Sequence, residues 1–92
     1  MDGKFPLGQV VATPGALAAF EAAGERSINP FLRKHAQGDW GIVDAEDKQA
    51  NDDALINEGR LLSAYNLKDN TKIWIITEWN RSVTTILLPS EY

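Results

Sequence analysis

The chain has 92 residues, no cysteine, one histidine and a net charge of −4. Its length corresponds to a single domain, residues 1–92, and the lack of cysteine excludes disulfide bonds, thiolate metal ligands and a cysteine nucleophile. With one histidine, the common histidine-based zinc sites are excluded as well. We therefore expect a protein without a metal ion in a reducing compartment, most simply the cytoplasm.

The negative charge is unevenly distributed along the chain. Lys48 is the only basic residue between positions 44 and 58, whereas the remaining sequence has eight basic and seven acidic residues. A generally basic nucleic-acid-binding surface is therefore not expected, because affinity for phosphate depends on clustered lysine and arginine. An acidic helix can face a basic protein partner, although such a face is more often simply solvated. The acids of this segment are Asp44, Glu46, Asp47, Asp52, Asp53 and Glu58.

Membrane segments and cofactor motifs are not recognisable in the sequence. The N-terminal MDGKFPLGQVVA is a poor signal peptide, since it has one lysine and no long apolar core. No uninterrupted apolar run approaches the roughly 20 residues that a membrane-spanning helix needs. The acidic segment lacks the central glycine and the closing glutamate of a calcium loop, and no phosphate loop is present. The sequence predicts a soluble protein that binds no cofactor.

Three helices, preceded by a short strand over residues 8–12, are predicted in the first two thirds of the chain. Each helix has a residue that favours an N-cap before it and a glycine after it. The helices are expected over residues 16–23, 31–37 and 45–58, with the caps Thr13, Asn29 and Asp44 and the stops Gly24, Gly38 and Gly59. Trp40 is expected to anchor the helices on the sheet, because a buried indole brings a large apolar area to a small core.

Three β-strands are predicted in the last third, where β-branched and aromatic residues dominate. They cover residues 60–67, 72–79 and 82–88. Asn80-Arg81 alone separates the last two strands, which indicates a tight antiparallel hairpin. We therefore predict an α+β fold in which two or three N-terminal helices pack on one face of a three- to four-stranded antiparallel sheet that ends in a C-terminal β-meander.

The predicted strand register decides which side chains share a face of the sheet. A two-residue loop at Asn80-Arg81 makes Thr77 face Thr84, and the preceding hairpin is expected to pair Leu67 with Lys72. One face is then bulkier and more apolar, so we expect the helices to cover it. The covered face carries Leu61, Tyr65, Leu67, Trp74, Ile76, Val83 and Leu87, and the exposed face presents Arg60, Thr77, Trp79, Ser82 and Thr84.

Four segments of the sequence together resemble one family of proteins. They are GQVVATPGAL, FLRKHAQGDWG, LLSAY and KIWIITEWNRSVTTILLPSEY, so the resemblance extends over nearly the whole chain. The family consists of small uncharacterised bacterial proteins, described as plasmid-related, that are carried on plasmids and integrated mobile elements. The resemblance implies a bacterial origin, an accessory gene and no established activity. A restriction–modification subunit is not expected, because the chain lacks a glycine-rich cofactor loop and is too short for a methyltransferase.

The function that the sequence favours most is a non-catalytic interaction module that binds a protein partner or a second copy of itself. Trp79 stands beside a turn among polar residues, a setting in which tryptophan is often an interaction hot spot. Packing of its ring on the aliphatic part of a neighbouring arginine is the purely structural interpretation. The expected contact residues are Arg60, Thr77, Trp79, Arg81, Ser82 and Thr84.

A metal-independent ribonuclease-like enzyme is the main alternative. Glu78 would act as the base, Arg81 as the phosphate clamp and His35 as the acid, which suffices for attack of a 2′-hydroxyl on phosphate. The structural interpretations are a histidine that interacts with carbonyls at the end of its helix, and an exposed Glu78–Arg81 pair that contributes little. The enzyme hypothesis requires His35 to lie within reach of Glu78 or Arg81.

A third hypothesis is a nucleic-acid-facing accessory protein that uses Arg60, Trp79 and Arg81 locally. A small phosphate site of this kind is compatible with the overall negative charge, whereas a broad basic surface is not. Binding of labelled RNA or DNA that weakens with added salt would test it.

Overall fold

Four β-strands and three α-helices make up residues 3–92, the part of the chain that the computed structural model describes. The strands are β1 (Gln9–Ala12), β2 (Leu61–Asn66), β3 (Lys72–Thr77) and β4 (Val83–Leu87). The helices are α1 (Pro14–Ala23), α2 (Asn29–Ala36) and α3 (Ala45–Asn57), and a 3₁₀ turn covers Pro89–Glu91. The α+β class is confirmed, and the predicted elements are present with ends that differ by a few residues.

The predicted capping residues set two of the three helix starts. The Thr13 hydroxyl accepts a hydrogen bond from the Ala16 N–H (3.1 Å), and the Asp44 carboxylate accepts one from the Asp47 N–H (2.8 Å). The prediction that Asn29 caps α2 is wrong, because the helix begins at Asn29 itself and its N-cap residue makes no side-chain hydrogen bond.

The sheet is mixed rather than purely antiparallel, which corrects the prediction. Its strand order is β1-β4-β3-β2, with β1 parallel to β4 and the other pairs antiparallel. A parallel neighbour needs a long crossover connection, and the three helices together with β2 and β3 supply it. Strands β1 and β2 are consequently the two edges of the sheet.

The predicted register of the last hairpin is confirmed, since Thr77 pairs with Thr84. The reversal is longer than the two residues predicted, because β3 ends at Thr77 and β4 begins at Val83. Inside the loop the Arg81 N–H donates to the Glu78 carbonyl (2.9 Å), and at its base the Glu78 N–H donates to the Val83 carbonyl (3.1 Å).

The register between β2 and β3 differs from the prediction by one residue. Lys72 pairs with Asn66 rather than with Leu67. Two hydrogen bonds close the loop: the Asn70 N–H donates to the Leu67 carbonyl (2.9 Å), and the Leu67 N–H donates to the Thr71 carbonyl (2.9 Å). Asn70 has a left-handed φ of 70°. This is a common three-residue hairpin loop. Because side chains alternate along a strand, the shift moves every side chain of β2 to the opposite face relative to β3.

The helices cover the face that the sequence predicts to be exposed on β3 and β4. Ile75 and Ile86 of that face have no exposed surface and belong to one cluster with Phe20 of α1 and Tyr65 of β2. Phe31 of α2 packs on both aromatic rings, with centroid distances of 5.5 and 5.7 Å. The helix-covered face is therefore predicted correctly for Leu61, Tyr65 and Leu67. It is predicted wrongly for four residues that lie on the opposite face, Trp74, Ile76, Val83 and Leu87.

The C-terminal segment lies on the opposite face of the sheet. The Tyr92 ring contacts the Trp74 ring, with a centroid distance of 5.7 Å, and the Arg60 guanidinium lies 5.2 Å from the Tyr92 centroid. Ile76 is buried on this face, whereas Trp74 is half-buried and Tyr92 is exposed. This face is therefore only partly covered.

Trp40 is buried, as the sequence predicts, and belongs to a second apolar cluster. It packs with Phe5, at a ring-centroid distance of 6.1 Å, and with Leu61 of β2. Its indole N–H donates to the Asp52 carboxylate of α3 (3.1 Å). Trp40 thus joins the loop before α3 to the edge of the sheet.

The outer edge of β2 is closed by hydrogen bonds. The Asn51 side chain of α3 donates to the Leu62 carbonyl (2.7 Å) and accepts from the Leu62 N–H (3.0 Å). Farther along the edge, the Ala64 N–H donates to the Trp40 carbonyl (3.0 Å) and the Ala64 carbonyl accepts from the Ile42 N–H (2.8 Å). These backbone groups are therefore occupied and do not offer an edge to another strand.

Replacing Asn51 by alanine should destabilise the fold by about 2–3 kcal/mol. The backbone N–H and C=O of Leu62 would both lose their hydrogen-bond partner, and the Asn51 side chain that supplies it is buried. Asn51→Asp should be no more stable than Asn51→Ala, since a carboxylate cannot donate to the Leu62 carbonyl. Gln49→Ala, in the same helix and exposed, is the control and should change stability by less than about 0.5 kcal/mol. Urea unfolding measures all three variants, and wild-type stability of Asn51→Ala would contradict this account of the edge.

Candidate functional site

His35 is completely buried between α2 and the sheet. Its Nδ1 lies 2.5 Å from the Ser63 hydroxyl oxygen, and its Nε2 lies 2.9 Å from the Thr77 hydroxyl oxygen. The ring also packs edge-on against Phe5 and Trp40, at centroid distances of 5.2 and 5.8 Å. The interpretation of His35 as a partner of carbonyls at the end of its own helix is wrong, because both ring nitrogens bind hydroxyl groups of the sheet.

A chain of hydrogen bonds, here named the buried hydroxyl chain, determines the tautomer of His35. The Leu7 carbonyl can only accept, so the Thr84 hydroxyl donates to it (2.7 Å). Thr77 must then donate to Thr84 (2.7 Å), which leaves the Thr77 oxygen to accept from the His35 Nε2–H. In the neutral imidazole Nδ1 then carries no proton and accepts from the Ser63 hydroxyl. The chain is therefore fully paired when the imidazole is neutral.

Burial lowers the pKa of His35 from 6.5 to about 4, because the imidazolium loses its hydration when it is removed from water. The imidazole is therefore neutral at pH 7. A general acid must also come within hydrogen-bond distance of its substrate, and His35 has no exposed surface from which to do so. The geometry of His35 supports a structural role.

Arg81 is bound to the backbone of two segments. Its guanidinium also lies 5.7 Å from the centroid of the Phe5 ring. The side chain donates to four carbonyls, those of Ala54 (3.0 Å), Gly59 (2.6 Å), Glu78 (3.1 Å) and Trp79 (3.2 Å). Arg81 therefore holds the loop between β3 and β4 against the C-terminal end of α3.

The ribonuclease hypothesis gains no support from this arrangement. His35, its proposed acid, is enclosed in the core, and Arg81, its proposed phosphate clamp, is occupied by carbonyl groups. Glu78 is half-buried, and its backbone N–H and carbonyl take part in the hairpin loop. The nucleic-acid hypothesis loses Arg81 for the same reason, which leaves only Arg60 and Trp79 for a local contact.

The predicted contact residues fall into two groups in the structure. Thr77 and Thr84 have no exposed surface, so the prediction that they contact a partner is wrong. Their hydroxyls belong to the buried hydroxyl chain beneath α2, and their interpretation as a cross-strand threonine pair is confirmed by the 2.7 Å bond between them. Arg60, Trp79 and Ser82 are exposed, whereas Arg81 is half-buried.

The exposed group lies where the chain that leaves α3 meets the hairpin loop. Trp79 is 62 % exposed, and Ile56 of α3 is 81 % exposed. A single nitrogen of Arg81 binds the carbonyls of both Gly59 and Trp79, so the chain before Arg60 and the loop are neighbours. We name Arg60, Trp79 and Ser82 the corner surface.

A second accessible feature, which sequence reasoning missed, is the outer edge of β1. The Gln9 N–H donates to the Ser82 carbonyl, just before β4, and the Thr13 N–H donates to the Ile86 carbonyl of β4 (3.0 Å each). The backbone groups of these alternate residues therefore face β4. The N–H and C=O groups of Val10 and Ala12 therefore face away from the sheet, without a hydrogen-bond partner in the described part of the chain. The side chains of Val10 and Val11 are 42 % and 38 % exposed. The sequence signal for such an edge is the uncharged segment GQVVA at residues 8–12. Its place at an edge was not predicted, because the predicted sheet was purely antiparallel and β1 was not paired with any particular strand.

No match to this chain was found among protein-family models, curated proteins or solved structures. The resemblance to plasmid-related bacterial proteins remains a prediction. Within residues 3–92, none of the helices combines the length and the apolar character needed to cross a bilayer. The same residues contain no group of three or more His, Cys, Asp or Glu side chains that could hold a metal ion.

Proposed function

We propose that this chain is a non-catalytic protein-interaction module that binds a protein partner through the corner surface. The observation that carries the proposal is the exposure of Trp79 on a loop that Arg81 immobilises. The Trp79 side chain is 62 % exposed, so most of its apolar surface is in contact with water. A bound partner that covers the indole would bury this surface. Tryptophan and arginine are also among the residue types most enriched at interface hot spots.

The loop of Trp79 is held in one conformation before a partner arrives. Arg81 donates to the carbonyl of Trp79 itself (3.2 Å) and, across the corner, to that of Gly59 (2.6 Å). The Asn80 side-chain oxygen accepts from both the N–H (3.1 Å) and the hydroxyl (2.7 Å) of Ser82. Binding therefore does not have to order this loop, which lowers the entropic cost of association.

The chemistry of the corner surface favours a partner with an apolar cavity for the indole and a carboxylate beside it. Arg60 supplies a planar cation, partly oriented by the Tyr92 ring, that can bind a carboxylate through two parallel hydrogen bonds. The resemblance to plasmid-related proteins adds a bacterial partner, encoded by the same mobile element, to this proposal.

Replacing Trp79 by alanine is expected to weaken partner binding at least about 30-fold, the effect of removing a hot-spot side chain. The fold should be retained, because the indole is mostly in water and the loop is held by Arg81. Affinity capture from a bacterial lysate with the wild-type chain identifies candidate partners, and titration calorimetry with the recovered protein then measures its affinity for each variant.

Leu17→Ala is the matched control, since Leu17 is a large apolar side chain of α1 that is 51 % exposed and lies outside the corner surface. A partner that loses affinity for Trp79→Ala and keeps it for Leu17→Ala supports the proposal. Equal affinities of wild type and Trp79→Ala for every recovered protein would contradict it.

A further inference from the structure

The open edge of β1 is a second interaction surface that shares no residue with the corner surface. We propose that two copies of this chain pair through β1, antiparallel and with two-fold symmetry centred on Val11. The pairing joins the two four-stranded sheets into one continuous sheet. The proposal is independent of the corner surface and of the partner that binds there.

The outward backbone groups of β1 are self-complementary. Val10 and Ala12 each present one donor and one acceptor at the edge. In an antiparallel pair, residues in one class of opposed positions exchange both of their N–H···O=C bonds. When Val11 lies opposite Val11 of a second copy, Val10 of each copy lies opposite Ala12 of the other. All outward groups of both copies are then paired, and the two-fold axis generates one bonded pair from the other.

The side chains of β1 also suit a symmetric contact. Val10 and Val11 are 42 % and 38 % exposed, so pairing removes apolar surface from water. Val11 at the axis occupies a position where side chains of opposed strands approach closely, and β-branched residues are favoured in such pairs. Residues 8–12 contain no charge and no proline, which are the usual features that keep identical edges apart.

A second copy matches this edge better than a longer foreign strand does. Strand β1 has four residues, and an identical strand pairs its outward groups without leaving any unpaired. Two-fold pairing is also closed, so it stops at a dimer and does not extend into a fibre. The other sheet edge, β2, is occupied by Asn51 and by the chain from Trp40 to Ile42.

The predicted dimer is weak because the contact is short. Interfaces that bury less than about 1,200 Å² are typical of weak and transient complexes. We therefore expect a monomer at about 10 μM protein and a substantial dimer fraction at about 1 mM. Sedimentation equilibrium over this range measures the association.

Two variants test the position of the contact. Val10→Pro removes an outward N–H and leaves the inward bonds of Gln9 and Thr13 to β4 in place, so the monomer should fold and the dimer should be lost. Val11→Lys places two ammonium groups against each other at the axis and should also abolish the dimer. Ile56→Lys introduces the same charge at an exposed residue of α3, outside β1, and should dimerise like the wild type.

Amide hydrogen exchange gives a residue-level readout in the wild type. Exchange at Val10 and Ala12 should slow as the protein concentration rises, whereas exchange at Gln9 and Thr13 should not change, because these amides are already bonded to β4. A monomer at about 1 mM would overturn the proposal. So would a dimer that Val11→Lys retains, or exchange at Val10 and Ala12 that is independent of concentration. Trp79→Ala should dimerise normally, which separates this result from that of the proposed function.

Discussion

Replacing Gly41 by alanine is expected to lower the free energy of unfolding by at least about 4 kcal/mol. Gly41 has a φ of 78°, and a Cβ added there would overlap the Ala64 carbonyl oxygen and lie 2.7 Å from the Tyr65 ring. Neither group can move away easily. The Ala64 carbonyl accepts the Ile42 N–H, and Tyr65 is buried in the core, where its hydroxyl donates to the Asp39 carbonyl.

Gly24→Ala is the matched control for this prediction. Gly24 has nearly the same φ, 75°, but no atom lies within 4 Å of an added Cβ. Its replacement should therefore cost only the strain of a left-handed backbone, about 1–2 kcal/mol. Urea unfolding followed by tryptophan fluorescence compares the two variants. Equal losses would mean that backbone conformation, and not the close approach of Gly41 to β2, limits stability.

The second large effect is a pH dependence of stability that originates at His35. The pKa of this side chain is 6.5 in an unfolded chain and about 4 in the fold. Between these values the unfolded state binds more protons, so lowering the pH favours unfolding. The stabilisation is complete above pH 6.5 and is lost progressively as the pH falls toward 4. A shift of this size corresponds to about 3 kcal/mol.

His35→Gln separates this contribution from the other groups that titrate. The glutamine variant is expected to be less stable than the wild type at pH 7, because its side chain cannot bridge Ser63 and Thr77 as the ring does. The difference between the two proteins should then shrink as the pH falls from 7 to 4, since only the wild type has a histidine to protonate. Unfolding in urea at a series of pH values measures the difference, and a constant difference would contradict the assignment.

Carboxylates contribute a pH dependence of the same sign in both proteins. The Thr71 side chain lowers the pKa of Asp69, and the Thr13 side chain lowers the pKa of Glu91. Stabilisation from a depressed carboxylate pKa is also lost at low pH. Because both proteins retain these residues, the contribution cancels in the comparison.

Local structure was predictable because it depends on residues that are close in sequence. The Thr13 and Asp44 caps bond to backbone groups three residues away. The pairing of Thr77 with Thr84 follows from a short loop between two strongly β-forming segments. In each case the deciding interaction spans few residues, so composition and spacing carry enough information.

The covered face of the sheet could not be predicted from hydrophobicity alone. Both faces carry large apolar residues, and the polar Thr77 and Thr84 suggest that their face is exposed. In the fold their hydroxyls are buried because His35 and the Leu7 carbonyl satisfy them. A one-residue shift of β2 would move Ser63 away from His35, so the buried hydroxyl chain also specifies the register that the apolar pattern leaves open.

The candidate site was predictable only in part for the same reason. Exposure of Trp79 beside a turn was expected from its polar neighbours, and the structure bears out its exposure. The role of Arg81 depends on the carbonyls of Ala54, in α3, and Gly59, just after it, which are more than twenty positions away in sequence and which no local pattern indicates. The same holds for the open edge of β1, which exists only because β1 lies beside β4.

By itself, the sequence determined which segments form helices and strands and that Thr77 pairs with Thr84, because caps, turns and β-branched runs act over a few residues. Only the tertiary structure decided which face of the sheet the helices cover, which polar groups are buried and which strand edge stays open. Those outcomes depend on hydrogen bonds and packing between segments far apart in the chain, such as His35 with Thr77 and β1 with β4. A polar side chain is exposed or buried according to whether such a distant partner reaches it.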